Sequence, residues 1–255
     1  MDLGIRGRVA LVTGASSGIG EAVALALAQE GATIAVAARR RDRLEAVARE
    51  AKQRGANDAH AFAVDFERPG SVTTLLSQVR DELGDVQILV ANSGGPKAGT
   101  FRDLSLDDWD RGYRETLRSM LELVRGAVPA MSASGWGRIV ALTSTSVKQP
   151  IPNLALSNAF RTALVSALKS LSLEVARAGV TVNSIATGRV LTDRLRHLYQ
   201  DEDAIRKAAE SEVPIGRVAT PAEFAPLVAF LCGEPARYVT GQTIAIDGGL
   251  IKALF

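Results

Sequence analysis

Short, mostly apolar runs recur along the chain, each separated from the next by enough residues for one helix. Val9 to Val12, Thr33 to Ala38, Ala59 to Val64, Gln87 to Ala91, Arg138 to Thr143 and Val180 to Ala186 lack strict apolar/polar alternation, which is how strands covered on both faces read. Between them, apolar positions fall at helical spacing. Ala22 to Ala28 is one such stretch, Asp42 to Arg54 another with Asp42 as its N-cap, and about Pro69 to Leu83 a third with proline near its first turn. Leu106 to Ser132 holds two helical stretches, and Leu154 to Ala178 reads as one long helix with Ala155, Ala159 and Ala163 four apart. The alternation predicts an α/β protein: a doubly wound, mainly parallel sheet of seven strands with helices on both faces. At 255 residues the chain is sized for a single domain with a large core, 1–255.

The segment joining the first strand to the first helix, Thr13 to Gly20, reads Thr-Gly-Ala-Ser-Ser-Gly-Ile-Gly. Gly14 lets the backbone leave the strand at angles a Cβ forbids, while Gly18 and Gly20 leave room for a pyrophosphate and for helix packed closely on strand. Free N–H groups and a positive dipole end then face the phosphates. Gly14, Ser16, Ser17, Gly18, Ile19 and Gly20 are therefore the candidate phosphate-binding residues. About 20 residues on, at the tip of the second strand, the ribose-reading position holds Arg39, followed by Arg40. An acidic residue there would accept from a free 2′-hydroxyl, whereas arginine offers donors and charge to a 2′-phosphate. The pattern favours NADP(H). A plainer account makes Arg39, Arg40, Arg41 and Arg43 the solvated start of the next helix; Arg41 and Arg43 are expected to be that, and Arg39 to be functional.

The spacing of Gly14, Gly18 and Gly20, with Asn92-Ser93-Gly94-Gly95, with Gly188, Val190 and Thr192, and with Thr240-Gly241-Gln242 and Ile246-Asp247-Gly248-Gly249 near the C-terminus, resembles the short-chain dehydrogenase/reductase family. The resemblance spans nearly the whole chain and is nearest in pattern to the 3-ketoacyl-acyl-carrier-protein reductases. It implies a Rossmann-type fold, and hydride transfer between nicotinamide and a small carbonyl or alcohol substrate, acyl-carrier-linked in the ketoacyl reductases. It assigns Asp65, with Phe66 beside it, to the adenine end, and Asn92, Gly94, Gly188, Val190 and Thr192 to the nicotinamide end. Thr192 to about Ser211, charged and poor in apolar period, resembles the mobile lid of relatives.

Relatives use a serine to orient the carbonyl, a tyrosine as general acid, a lysine four residues later and an asparagine; the lysine lowers the tyrosine pKa and contacts the nicotinamide ribose. Ser144 takes the serine position. Ser157 stands where the tyrosine belongs, Arg161 where the lysine belongs, and Thr116 at the asparagine position. The register is ungapped, since Ser157 to Leu164 aligns with Tyr-x-x-x-Lys-x-Ala-Leu and no tyrosine lies between Tyr113 and Tyr199. A serine hydroxyl, with a pKa far above tyrosine's ~10, is a poor proton donor. Arginine keeps the charge and can bond a ribose, but relays no proton at neutral pH. Two readings follow. In one, the chain is an NADP(H) oxidoreductase whose proton comes from water held by Ser144 and Ser157, from Lys148, or from Tyr199 or His197 of the lid. In the other, it is a catalytically impaired NADP(H)-binding protein, a sensor or partner subunit. The space of the missing phenol suits water, or a substrate with an anionic group for Arg161.

Lys plus Arg number 30 and Asp plus Glu 28, and a net charge of +2 gives no argument for a nucleic-acid or membrane partner. Cys232 is alone and the histidines are His60 and His197, which excludes an internal disulfide and argues against a metal site. No apolar run approaches ~20 residues and no signal peptide is evident, so the expected location is cytoplasmic. The apolar helices Leu117 to Val128 and Leu154 to Ala178 hold more non-polar surface than one sheet face covers, and relatives pair these helices across a two-fold axis, so a homotetramer is expected.

Overall fold

The computed structural model describes residues 1–199 and 201–254. Seven strands, β1 (Val9–Thr13), β2 (Thr33–Ala38), β3 (Asp58–Ala63), β4 (Ile88–Ala91), β5 (Gly137–Leu142), β6 (Val180–Thr187) and β7 (Thr243–Ile246), form one sheet in the order β3-β2-β1-β4-β5-β6-β7. Every pairing is parallel, with Val12 of β1 opposite Val36 on one side and Val90 on the other. Alternate residues of a strand feed opposite layers. Ala10, Val12, Ile34 and Val36 pack with Val23, Leu27 and Phe224, under α1 (Gly18–Gln29), α2 (Arg41–Gln53) and α9 (Pro221–Leu231). Leu11, Ala35 and Leu89 pack with Leu75, Leu123 and Leu164, under α3 (Ser71–Leu83), α5 (Ser119–Ala133) and α6 (Ala155–Val175). Full burial of each large aliphatic side chain is worth about 1.5–3 kcal/mol, so two continuous layers fix the sheet between them. The strand order runs outward in opposite directions from β1 and β4, and an open parallel sheet leaves its crevice at the carboxyl ends of such a pair.

Several local expectations are corrected. Asp42 is not the N-cap of α2; it lies in the first turn, next to the dipole, while extended Arg40 caps without a side-chain bond. Pro69 precedes α3 rather than opening it, because left-handed Gly70 (φ 78°) is the N-cap. The stretch from Leu106 divides into α4 (Leu106–Gly112), a π-helical segment Tyr113–Arg118, and α5. The long helix ends at Val175 and finishes in a 3-10 turn, Ala176–Ala178. The charged stretch 192–211 forms α7 (Asp193–Leu198) and α8 (Glu202–Glu212), anchored by Leu195, Ile205 and Ala209, with position 200 outside the described residues. Apolar periodicity does not mark α9, which is apolar nearly all round, yet Thr220 and Glu223 make a capping box with Pro221 at its start.

Candidate active site

The turn after β1 sets the floor of the site. Gly14 and Gly18 have φ of 61° and 63°, and a Cβ on Gly14 would stand 2.6 Å from Asn92 Nδ2. Gly20 does not line the crevice; a Cβ there would lie 2.4 Å from the Gly14 carbonyl oxygen, so its part is to bring α1 down onto β1. Thr13 Oγ1 donates to the Asn92 carbonyl at 2.7 Å and accepts from the Asn92 N–H at 2.8 Å, which ties the ends of β1 and β4 together. The result is a tight backbone turn at a helix N-terminus that glycine alone allows, since a Cβ on Gly14 would meet Asn92 and one on Gly18 would lie 3.1 Å from Thr192 Cγ2.

A cleft of about 840 Å³ runs over this turn. At one end, Arg40 donates to Ser16 Oγ at 3.0 Å and to Ser17 Oγ at 2.8 Å, and its other terminal nitrogen lies 3.8 Å from an Asp193 carboxylate oxygen that is also 3.8 Å from Arg43. Arg39, Asp65 and Phe66 line the same end. Glu115 faces them from the π-helical segment, its carboxyl raised in pKa by burial and then by Glu67. At the opposite end lie Ser144, Ser157 and Arg161. Ser144, two residues past β5, accepts from the Ser146 N–H at 3.1 Å and caps a short 3-10 turn. Ser157 and Arg161 are one helical turn apart on α6 and are 6% and 8% exposed. Arg161 donates from Nη1 to the Leu142 carbonyl at 3.0 Å and from Nη2 to the Gly94 carbonyl at 3.4 Å. Burial, and then Arg194, lowers its pKa to about 10, which leaves the guanidinium charged at neutral pH. Asn158 bonds both backbone groups of Ile151, at 3.2 and 3.0 Å, and so pins the loop from Gln149 to Leu154 along the cleft wall.

A family model described as enoyl-(acyl carrier protein) reductase matches residues 14–251. The 3-oxoacyl-[acyl-carrier-protein] reductase of Escherichia coli strain K12 is 33% identical over 248 residues, covering 97% of this chain and 99% of the relative. The chain belongs to the short-chain dehydrogenase/reductase family. The L-sorbose reductase of Gluconobacter frateurii, solved with NADPH and L-sorbose, superposes with a TM-score of 0.93 over the full length of both chains at 35% identity. An actinorhodin polyketide ketoreductase variant solved with NADPH superposes at 0.90 with 34% identity, covering 96% of this chain and 98% of that one. This short-chain dehydrogenase/reductase is thus an oxidoreductase, and it brings Gly14, Ser16, Ser17, Gly18, Ile19, Arg39, Arg40, Asp65, Phe66, Asn92, Gly94, Gly188, Val190 and Thr192 into one cleft with Ser144, Ser157 and Arg161.

Thr116 and Lys148 stand outside that lining. Thr116 is buried in the π-helical segment, its Oγ1 without a hydrogen-bond partner among the described residues. His197 is also outside the lining and is turned to the Asp193 carbonyl, 2.6 Å from its Nδ1. Tyr199 does reach the cleft, with its hydroxyl held by Arg189, which pairs in turn with Glu212. Sequence reasoning passed over Arg194, which sits against Gly95 and donates to the Pro96 carbonyl at 2.9 Å, and Glu115. The signal for Arg194 was its place two residues after Thr192, on a segment read only as a polar cover.

Proposed function

We propose that this chain is an NADP(H)-dependent reductase or alcohol dehydrogenase of small carbonyl or alcohol substrates, with water rather than a phenol as the proton source. The observation that carries the reading is the single cleft that joins Arg39 and Arg40, the glycine turn and the Ser144–Ser157–Arg161 group. The turn fits a pyrophosphate, since it sets the N-terminus of α1 on the cleft with Gly14 and Gly18 leaving its backbone bare of side chains, and the Arg40 guanidinium beside Ser16 and Ser17 fits a 2′-phosphate. NADPH, when bound, supplies the hydride that the carbonyl carbon accepts. Ser144 and Ser157 would then hold the carbonyl oxygen and a water in the place of the missing phenol; that water would give its proton to the oxygen, and the hydroxide left would take a proton back from bulk water through the open cleft. Arg161, fixed by two backbone carbonyls, holds positive charge beside the negative charge that develops. Asp65 and Phe66 take the adenine, and Thr192 with α7 and α8 forms the lid.

Titrating NADPH and NADH against nicotinamide fluorescence, then screening carbonyl compounds that include β-ketoacyl thioesters, tests the reading. Tighter NADPH and measurable turnover support it; tighter NADH, or no binding of either, defeats it. A second reading, a cofactor-binding sensor or partner subunit, is favoured by the lack, among the described residues, of a free proton-donating side chain near Ser157: Lys148 is outside the cleft and Tyr199 is already bonded to Arg189. NADPH binding without turnover of any carbonyl would select it. Assembly as a homotetramer fits the exposed face of α6, where Ala159 and Ala163 meet solvent and Leu173 is 74% exposed.

A further inference from the structure

Charge in the cleft is distributed unevenly along its length. Among the carboxylates that line it, Asp65, Glu67 and Glu115 lie at the Arg39 end, Asp193 faces Arg40 and Arg43, and Glu212 is taken by Arg189. The hydroxyl end has two guanidiniums instead, and among the described residues neither Arg161 nor Arg194 has a carboxylate within 4.0 Å. They grip one turn from two sides, Arg161 at the Gly94 carbonyl and Arg194 at the Pro96 carbonyl. Of the five N–H donors that each guanidinium carries, Arg161 uses two on the protein and Arg194 one. Arg161 is buried and Arg194 exposed at the cleft's rim, and burial together with the charge of Arg194 lowers the pKa of Arg161. An anion bound between the two would offset that repulsion and take up their unused donors.

The dinucleotide does not furnish that anion in the reading above, which this inference rests on. Its pyrophosphate belongs at the α1 N-terminus and its 2′-phosphate at Arg39 and Arg40, both away from Ser144 and Ser157. We infer that the substrate itself carries an oxyanion, a carboxylate or phosphate group attached to the carbonyl or alcohol compound, and that Arg161 and Arg194 bind it beside Ser157. The missing phenol at Ser157 gives the group its room, and the planar forks of the two arginines match its oxygens. Arg194 is on α7 and already bonds the Pro96 carbonyl, so the anion would bridge this helix to α6 beside the Gly94–Pro96 turn.

The test uses the full-length protein loaded with NADPH and matched pairs of probes: pyruvate and methyl pyruvate, acetoacetate and ethyl acetoacetate, dihydroxyacetone phosphate and dihydroxyacetone. Calorimetry reads binding, and absorbance of NADPH reads turnover in parallel. At least one anionic partner is expected to bind at least tenfold tighter than its neutral mate, with the pair concerned telling carboxylate from phosphate. That preference should shrink several-fold in Arg194→Gln, return in part in Arg194→Lys, and weaken with added salt, while the Kd for NADPH stays within about twofold. Equal binding within every pair overturns the inference, as does an Arg194→Gln variant that loses NADPH affinity by the same factor, for the arginine then serves the cofactor phosphates. Anion binding without hydride transfer would defeat the oxidoreductase reading and leave this one standing; turnover of neutral carbonyls with no anion preference would do the reverse.

Discussion

Arg161 holds a full charge with 8% of its surface exposed and, among the described residues, only carbonyl oxygens to meet it. A lysine at this position would offer a compact point charge to a ribose; the guanidinium is larger, forked, and fixed by the strand end at Leu142. Ser157, one turn earlier, removes the phenol that a proton relay would use. The double variant Ser157→Tyr with Arg161→Lys is therefore expected to raise reduction of simple β-ketoacyl substrates by roughly 10² to 10⁴, the usual worth of general acid help. Steady-state kinetics checks this, and a wild type that already matches the double variant would show that some other group gives the proton. A second residue-scale expectation concerns cofactor choice. Arg40 reaches both serines of the phosphate turn and Arg39 stands beside it unpaired within 4.0 Å among the described residues. Loss of a charge-assisted hydrogen bond costs about 1.5–3 kcal/mol, so Arg40→Ala should weaken NADPH at least tenfold in a fluorescence titration, and Arg39→Asp should do so while leaving NADH binding unchanged or better. Equal loss for both cofactors would reduce the pair to a solvated helix start.

Elements differ in how openly their sequence declares them. The strands and the Thr13–Gly20 turn were legible because buried parallel strands leave unbroken apolar runs, and because Gly14 and Gly18 occupy left-handed conformations that other residues avoid. The end of α3 falls where the sequence put it, at Leu83, with Gly84 at φ 100° beyond it. What pattern did not convey was anything decided by a distant neighbour. Asp42 looks like an N-cap, but Arg40 leaves the strand to meet Ser16 and Ser17, and the helix starts at Arg41 instead. Thr116 was aligned to a catalytic position, yet the π-helical segment puts Glu115 rather than Thr116 on the cleft. No local spacing reports either outcome. Helix α9 illustrates how a short polar motif supports the site from behind, because Phe224 and Val228 pack in the layer that carries α1. Glu223 closes its cap through the Thr220 N–H at 2.9 Å and pairs with Arg217 at 2.7 Å, and these partners, Arg217 first, bring its pKa down to about 2. A depressed carboxylate contributes stability above its unfolded value of 4.5 and loses it as pH falls through the folded one. Glu223→Gln should accordingly lower the thermal midpoint at pH 7, with the difference from wild type shrinking between about pH 4.5 and pH 2; a pH-independent difference would assign the loss to packing rather than to charge.

For the whole molecule, the decisive surface is the outer face of α6. Ala159, Ala163, Ser166, Ser170 and Leu173 follow one another at three- and four-residue steps along it, and all are exposed. Such a stripe lets another helix approach closely, and among the described residues no helix covers it. Beside its start, Trp109 of α4 meets Phe101 and Phe160 edge-on at 5.7 and 5.6 Å, and Phe160 meets Tyr113 at 6.2 Å. Phe101 and Tyr113, the outer members of this group, are 73% and 39% exposed, so the aromatic cluster is left open on the same side as α4 and α6. A two-fold axis would lay α6 on its copy and cover both features, and a second axis of the same kind completes a tetramer. Because α6 carries Ser157 and Arg161 on its inner face, assembly would also stiffen the helix that sets the site. Multi-angle light scattering should report four chains at micromolar concentration. Ala163→Glu, which puts like charges together across the axis without touching the buried face, should shift the mass to dimer or monomer and lower the thermal midpoint. A monomeric wild type across that concentration range, or an Ala163→Glu variant of unchanged mass, would place the contact elsewhere and leave the α6 stripe as ordinary exposed surface.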